Sequence, residues 1–371
     1  MKRWKMLACA TMVVLMIFSM IGCGGDSDAD SIGDSNDSES VSGDGEKIVW
    51  RLAHTCTEDI ALHEASVMLS EKLAEATDGN FVLEIYPNSQ LGGNREALEG
   101  MQFGTIQAAI PNVGMLGGYS TKVSALELPY LIEDVDSFDG AAAVLNTDVI
   151  KPIRDDLEES GFLWMASWYQ GNRHLTTTKT PVHSPADMKG LKIRTMESEL
   201  HMAHFNALGA NAVPMAFSEV FTALQQGALD GQENPYCNIY TQGMHEVQGY
   251  IIETAHIFDV VPLLVSKSAY DALPAEYQQI LTDEINNLTM TEWEMSKEEN
   301  EEYKQMILDA GTCEVIELTS EERQAFRDAA QVVYDEYSDE IGADFIQAIQ
   351  DAQDQIASKA QSNQTAAEPS E

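Results

Sequence analysis

Three side chains in the middle of the chain have the chemistry needed to bind a carboxylate. Arg194 lies in the strand-like segment LKIRT, Arg173 lies in GNRHLTT at the end of another strand-like run, and Asn234 lies in the turn DGQENP. A guanidinium binds a carboxylate through two parallel N–H···O bonds, and an amide supplies both a donor and an acceptor. Each residue alone has an ordinary explanation, since a lone arginine on a strand usually forms a surface ion pair and asparagine is common in turns. Acting together, the three residues would form an anion site.

Motifs for catalysis are missing from the sequence. It contains no HExxH, GxSxG or Walker A motif and no GxGxxG after a strand. His201 and His204 share a predicted helix face at a spacing that suits a metal, but a solvated or half-buried pair is the commoner explanation. Cys56, Cys237 and Cys313 show no CxxC spacing. We therefore expect no enzyme, no cofactor and no metal site, while a disulfide among the three cysteines stays open.

The charge balance of the 371-residue chain excludes some partners. Its 21 Lys plus Arg and 61 Asp plus Glu give a formal net charge of −40. This charge disfavours nucleic acid and anionic membrane surfaces as electrostatic partners. It would also repel an anionic ligand at long range, but salt screens the field beyond about 8–10 Å. Well-placed arginines can therefore still bind an anion at contact distance.

The first 46 residues predict export followed by attachment to a membrane. Residues 1–22 combine a basic start with an apolar stretch, which is the pattern of a secretory signal peptide. The ending SMIGC resembles a bacterial lipobox, and this resemblance implies cleavage before Cys23 and lipidation of its thiol. The alternative is secretion with Cys23 unmodified. Residues 23–46 are mostly Gly, Ser, Asp and Asn, so we expect a flexible acidic linker.

Strand-like and helix-like segments alternate in the rest of the chain, which indicates an α/β fold with a largely parallel sheet. Residues 47–54 and 81–87 are predicted strands, and residues 61–79 form an amphipathic helix between them. Residues 162–181 are predicted to form two strands separated at Gly171-Asn172. Residues 251–266 are predicted to form strands separated by a turn.

A long helix is predicted near the end of the chain. Residues 275–310 are almost continuously helix-compatible, which corresponds to roughly 50 Å at about 1.5 Å per residue. Such a helix is long enough to cross two lobes. Two shorter helices, broken near Asn286 and Asn287, are the alternative.

Length and segment order predict two α/β lobes. The expected boundaries are a signal peptide at 1–22, Cys23 and the linker at 23–46, a first lobe of 47–170 plus 260–299, a second lobe of 171–259 plus 300–350, and a fraying polar tail at 351–371.

Several motifs in order resemble a known family. They are YPNSQLGG, GNRHLTT, DMKGLKIRT and LGANAVPMAFSEVFTALQQGALDGQENP, and the resemblance extends over residues 47–340. These motifs resemble the solute-binding subunit of TRAP transporters (tripartite ATP-independent periplasmic transporters), the DctP-like family. The resemblance implies a two-lobed periplasmic-binding-protein type fold with hinge strands and a long C-terminal helix that spans both lobes.

The resemblance also implies roles for individual residues. Arg194, at the arginine of the strand motif, would clamp the substrate carboxylate bidentately, and Arg173 would assist it. Asn234 would contact the ligand, and Phe217, the aromatic residue of PMAFSE, would line the pocket.

Two positions depart from the sialate-binding members of that family. Those members have an acidic residue where Asn112 aligns and an asparagine where His54 aligns. Both differences argue against sialate and leave dicarboxylates, 2-oxo acids and sugar acids such as uronates. We expect His54 and Asn112, with Trp168 or Tyr236, to discriminate among these acids.

The expected function is that of a lipid-anchored, extracytoplasmic receptor for a small organic acid. The resemblance implies a monomer that delivers its ligand to TRAP membrane subunits, which are driven by an ion gradient rather than by ATP. One alternative is an ABC-type binding lipoprotein with an ATPase partner. Another is a sensory lipoprotein that binds the same acid for a receptor kinase. A hydrolytic lipoprotein would need a nucleophile–base pair that the sequence does not offer.

Overall fold

In the computed structural model, which describes residues 47–133 and 137–367 with side chains up to Ser358, nine strands form one mixed sheet. The strands are β1 (Ile48–His54), β2 (Phe81–Tyr86), β3 (Ala108–Ile110), β4 (Phe162–Thr177), β5 (Lys192–Thr195), β6 (Asn211–Pro214), β7 (Gly231–Asn234), β8 (Tyr250–Ser266) and β9 (Glu314–Ile316). Their order is β2-β1-β3-β8-β4-β7-β5-β6, with β9 paired to β8. The predicted signal peptide, Cys23 and the linker lie outside the described residues.

Helices cover the sheet. They are α1 (Ala61–Ala76), α2 (Asn94–Gln102), α3 (Asp139–Leu145), α4 (Lys151–Glu159), α5 (Glu199–Ala207), α6 (Val220–Gln225), α7 (Tyr236–Thr241), α8 (Lys267–Asp271), α9 (Ala275–Ala310), α10 (Ser320–Ile341) and α11 (Ala343–Ala367). The chain begins with the predicted β-α-β-α-β order, and β1 runs parallel to both β2 and β3. On α1 the predicted apolar face is buried through Leu62, Ala65, Leu69 and Leu73.

Two long antiparallel strands, β4 and β8, run through both lobes. The C-terminal end of β8 pairs with β3, whereas its N-terminal end pairs with β9. The C-terminal half of β4 pairs with β7. The two strands therefore connect the lobes and form the hinge of a two-lobed α/β fold.

The prediction that residues 162–181 and 251–266 each form separate strands is wrong. Both segments are continuous strands with irregular registers. The pairing of β4 with β8 shifts between Tyr169 and Asn172, where Gly171 has φ +121°. Glycine accepts this φ at little cost, so the backbone bulges without ending the strand. A second shift, between Arg173 and Leu175 of β4, lies opposite the part of β8 where Ala255 has φ +41°.

The long helix α9 is continuous over 36 residues, as predicted. Its buried positions follow a helical spacing of three and four residues on one face, through Leu281, Ile285, Leu288, Glu292 and Ser296. Asn286 and Asn287 do not break it because both side chains are exposed to solvent. The helix packs against α1, β4 and α7, so it spans both lobes.

The C-terminal segment departs from the predicted boundaries. Residues expected to form a fraying tail continue α11 to Ala367. Ile346 and Ile349 are buried, and α11 packs against α3, which belongs to the predicted first lobe rather than the second. Gln353 donates a hydrogen bond to the Leu131 carbonyl oxygen over 2.8 Å. The sequence gives little signal for this packing, because polar residues surround the few apolar residues of α11.

Candidate functional site

A cavity of about 190 Å³ lies where parts of both lobes approach each other. Its first wall comes from the loop after β1 and from α2, and its opposite wall comes from β5, β7, α7 and the loop after β6. This volume is smaller than the roughly 300–1,000 Å³ of drug-sized ligand sites. The residues central to its chemistry are Asn94, Arg95, Asn112, Gln170, Arg173, Arg194, Glu197, Phe217, Asn234 and Asn238.

Arg194 is a buried cation whose charge no described residue neutralises. Its side chain is 2% exposed. Nε and Nη2 both donate to the main-chain oxygen of Met215, over 3.0 and 2.7 Å. Among the described residues, none accepts a hydrogen bond from Nη1, and no carboxylate lies within ion-pair distance of the guanidinium. Burial lowers the pKa of Arg194 to about 10, so the side chain still carries its charge at neutral pH.

Arg173, in contrast, is already neutralised inside the protein. Nη1 donates to Asp259 over 2.6 Å, and Nη2 and Nε donate to the Glu233 carboxylate. Burial alone would lower the pKa of Arg173, but Asp259 and Glu233 outweigh burial and raise it. Arg173 also lines the cavity. The two predicted arginines therefore reach the same site with different electrostatic partners.

Asn234 is held beside Arg173 by a directional hydrogen-bond network. Its Oδ1 accepts from Arg173 Nη2 over 3.2 Å and from Asn238 Nδ2 over 3.2 Å, while its own Nδ2 donates to Gln232. The strand pairing explains this position, because Asn234 ends β7 directly opposite His174 on β4. Asn234, which the sequence pattern assigns to a turn, is thus a buried residue at the end of a central strand.

Phe217 and Asn112 also line the cavity, on opposite walls. The Phe217 ring centre lies 5.7 Å from the Arg194 guanidinium carbon, a cation–π distance. Asn112 follows β3, and its Oδ1 accepts from Asn94 Nδ2 over 3.1 Å. Five predicted site residues therefore meet at one cavity, namely Arg173, Arg194, Asn234, Phe217 and Asn112.

The structure does not bring His54 to this cavity. The two residues that follow His54, Thr55 and Cys56, line the cavity instead. The His54 imidazole is buried, with Nε2 3.1 Å from His63 Nδ1. Burial lowers its pKa to about 3, so the ring is neutral. Trp168 is buried in the core and does not line the cavity either.

Several other lining residues were not identified from the sequence. Arg95 on α2 and Glu197 after β5 both line the cavity, lie 3.8 Å apart and are well exposed. Gln170 on β4 and Asn238 on α7 also line it and are buried. The sequence carries little signal for them, because each type is common on helices and strands and only the fold brings them together.

The remaining candidates for metal or redox chemistry have ordinary partners. His201 is buried 3.0 Å from Glu127; burial would lower its pKa, but Glu127 outweighs burial and raises it to about 9. His204 is buried against Phe205 and His256. In the described part of the chain, no cluster of His, Cys, Asp and Glu is arranged to hold a metal ion. Cys56, Cys237 and Cys313 are free thiols.

Comparison with known proteins identifies the family. The model of the DctP family, bacterial extracellular solute-binding protein family 7, matches residues 52–340. The C4-dicarboxylate-binding periplasmic protein DctP of Rhodobacter capsulatus is 35% identical over 308 residues, covering 83% of this chain and 91% of that protein. The 2,3-diketo-L-gulonate-binding periplasmic protein YiaO of Escherichia coli is 30% identical over 306 residues, covering 82% and 92%.

Solved structures agree with this match. A TRAP periplasmic solute-binding protein of Shewanella oneidensis, with bound succinate, superimposes with a TM-score of 0.79 at 28% identity, covering 83% of this chain and 99% of that one. Within residues 47–133 and 137–367, no helix is both long enough and apolar enough to span a membrane. The chain belongs to the DctP family of bacterial extracellular solute-binding proteins, the solute-binding subunits of TRAP transporters, and it is a substrate-binding receptor rather than an enzyme.

Proposed function

We propose that this protein captures a small organic acid in the cavity, with Arg194 as the group that neutralises the acid's carboxylate. The observation that carries this proposal is the burial of a charged guanidinium without a carboxylate partner among the described residues. A buried charge is costly unless it is paired. A carboxylate ligand would supply the missing partner.

The hydrogen bonds of Arg194 favour a bidentate contact. A guanidinium has five N–H donors, and two of them are directed at the Met215 oxygen. The two N–H groups of Nη1 and the second one of Nη2 remain. This end of the guanidinium matches the two oxygens of one carboxylate. The Met215 oxygen and the Phe217 ring hold the plane of the guanidinium in place.

Arg173 supports the site mainly through its neighbours. Because Glu233 and Asp259 already balance its charge, it contributes little net positive charge to a ligand. Its Nη2 instead fixes the amide of Asn234. We propose that Asn234 and Asn112 offer hydrogen bonds to the ligand, and that Arg173 positions the former.

The substrate class follows from size and charge. The small cavity and the buried guanidinium of Arg194, which has no carboxylate partner among the described residues, suit a compact mono- or dicarboxylate. Relatives are named for C4-dicarboxylates and for 2,3-diketo-L-gulonate, and one structural neighbour holds succinate. We propose that the ligand is a dicarboxylate, a 2-oxo acid or a sugar acid such as a uronate.

The remaining parts of the proposal concern the partners. Family membership argues for delivery to TRAP membrane subunits and against the ABC-type alternative. The lipobox-like sequence before Cys23 supports a lipid anchor that holds the receptor at the membrane, and we propose a monomer as the working unit. Genes for two integral-membrane TRAP subunits beside this one would support the transport role, and a sensor kinase gene in their place would favour the sensory alternative.

A thermal-shift screen tests the ligand proposal, because a molecule that binds only the folded state raises the melting temperature. Each organic acid is compared with its primary amide, which keeps the shape but lacks the charge. We expect at least one acid to raise the melting temperature and its amide to have no effect. Equal shifts for acid and amide, or no shift with any acid, would contradict the proposal.

A further inference from the structure

A second unpartnered polar group lines the same cavity as Arg194. It belongs to Asn238, which lies on α7 and is 4% exposed. Its Nδ2 donates to Asn234 Oδ1 over 3.2 Å. Its Oδ1 is buried and, among the described residues, nothing donates a hydrogen bond to it. Buried amide oxygens nearly always have a donor partner, so an unsatisfied one in a binding cavity requires an explanation.

The network around Asn238 determines which end of its amide is the oxygen. Arg173 can only donate, so the Asn234 atom that faces Arg173 Nη2 must be an oxygen. The same Asn234 oxygen faces Asn238, and two oxygens would repel each other at 3.2 Å. Asn238 must therefore turn its nitrogen towards Asn234. Its oxygen is left as an acceptor that only a further donor can satisfy.

We propose that Asn238 is a specificity-determining residue that accepts a hydrogen bond from a hydroxyl group of the bound acid. The inference rests on the proposed function, because it assumes that a carboxylate occupies the Arg194 end of the cavity. Among the described lining residues, the buried side-chain atoms without a partner are then one cationic donor, Arg194 Nη1, and one neutral acceptor, Asn238 Oδ1. A hydroxy acid carries a carboxylate for Arg194 and a hydroxyl donor for Asn238. An unsubstituted dicarboxylate has no donor for Asn238.

The charges nearby favour a hydroxyl over an ammonium group as this donor. The buried carboxylates of Glu233 and Asp259 are both engaged by Arg173, which also donates to Asn234. Arg194 adds a positive charge that these carboxylates do not pair with. An ammonium group would meet two guanidinium groups and no free buried carboxylate among the described lining residues, because Glu96 and Glu197, which also line the cavity, are exposed to solvent. Hydroxy acids are therefore favoured over the amino acids of the same length.

Ligands that share one carbon skeleton provide the test. Titration calorimetry on the full mature protein compares malate, succinate and aspartate, and then galactarate with adipate and gluconate with hexanoate. We expect the tightest ligand to carry a hydroxyl and to bind at least tenfold more tightly than its deoxy counterpart. Sites built to hydrogen-bond a hydroxyl discriminate strongly against analogues that lack it. A deoxy acid or an amino acid as the tightest ligand would overturn the inference.

The variant Asn238→Leu tests whether Asn238 is the residue that accepts the hydrogen bond from the ligand hydroxyl. It removes the acceptor at similar volume, and Asn234 Oδ1 keeps its hydrogen bond from Arg173. We expect the preference for the hydroxy acid over its deoxy counterpart to fall below threefold. If this variant does not fold, Asn238→Ala replaces it, with the same expected fall in preference. An unchanged preference in the folded variant would overturn the role of Asn238.

The same experiment separates this inference from the proposed function. If acids bind and depend on Arg194 but show no hydroxyl preference, only the inference about Asn238 fails. If no acid binds at all, the proposed function itself fails, and the inference fails with it.

Discussion

Arg194 and Met215 form a fixed pair, since Nε and Nη2 of the arginine donate to the main-chain oxygen of Met215 over 3.0 and 2.7 Å. The backbone oxygen orients the guanidinium but does not neutralise it. The charge is therefore held in a single orientation before any ligand arrives. Such preorganisation lowers the entropic cost of binding, and it distinguishes Arg194 from the ion-paired Arg173.

The two buried arginines are expected to affect stability in opposite ways. Arg173→Met leaves Glu233 and Asp259 buried without their cation, so we expect the free energy of unfolding to fall by roughly 3–5 kcal/mol. Arg194→Met removes a buried charge that has no partner among the described residues, so we expect no loss and a gain of up to about 2 kcal/mol. Urea denaturation of both variants without ligand measures the difference. Equal losses would show that Arg194 is a structural residue.

The half-buried carboxyl of Glu299 on α9 gives a pH-dependent prediction. It accepts a hydrogen bond from the backbone N–H of Ala61 at the start of α1. Burial raises its pKa to about 8. A folded-state pKa above the unfolded value means that its contribution to stability is complete below about pH 4.5 and is lost as pH rises through about 8.

The variant Glu299→Gln is expected to remove this loss. Glutamine has the same shape, keeps the acceptor for Ala61 and cannot ionise. We expect it to match wild type at pH 4 and to exceed it by at least about 1 kcal/mol at pH 8, because one pKa unit corresponds to 1.36 kcal/mol. Urea denaturation at both pH values is the measurement, and the exposed Glu298→Gln on the same helix is the control. If the difference in unfolding free energy between Glu299→Gln and wild type does not change with pH, the pKa of Glu299 is not raised in the folded protein.

Gly171 is expected to be the least replaceable residue of the hinge. Its φ is +121°, and an added Cβ would lie 2.7 Å from Asn300 Oδ1 and 2.8 Å from the Pro235 Cβ. We propose the hinge near this residue, as the predicted lobe boundary at 170 and 171 suggests. Gly171→Ala should lower the free energy of unfolding by about 1–3 kcal/mol. Gly118→Ala is the control, because a Cβ added there meets no atom within 4 Å. Equal losses of unfolding free energy in both variants would argue against a conformational requirement for glycine at position 171.

The proposed lipid anchor depends on one thiol. In a bacterial host that processes lipoproteins, wild type should fractionate with membranes and Cys23→Ser should appear in the soluble fraction. Mass spectrometry of the mature N-terminus should find the lipid on Cys23. Wild-type protein that is soluble and begins elsewhere would contradict the anchor.

Much of the fold is predictable from the sequence because its signals are local. The amphipathic face of α1 and the uninterrupted helical composition of α9 are examples. Strand β4 is predicted as two strands because Gly171 and Asn172 look like a turn in the sequence, although the strand is continuous. Whether such a point is a turn or a bulge depends on the neighbouring strand, which sequence pattern does not specify.

The candidate site was predictable only where a motif marks it. Arg194, Arg173, Asn234, Phe217 and Asn112 were found through motif resemblance and meet at one cavity. The partners of Arg173 were not predicted, because Glu233 and Asp259 come from different strands and only the sheet order places them beside it. His54 illustrates the converse, since it ends a strand at the expected edge but contacts His63 and does not line the cavity.

The affinity of Arg194→Met for the acid identified by the thermal-shift screen tests the central claim most directly. Titration calorimetry compares wild type, this variant and the control Arg51→Met, which removes an exposed arginine. A carboxylate that loses a buried cationic partner should bind at least a hundredfold more weakly, consistent with roughly 3–5 kcal/mol for a broken buried pair. We expect that loss for Arg194→Met and wild-type affinity for Arg51→Met. Unchanged affinity in a folded Arg194→Met protein would contradict the account.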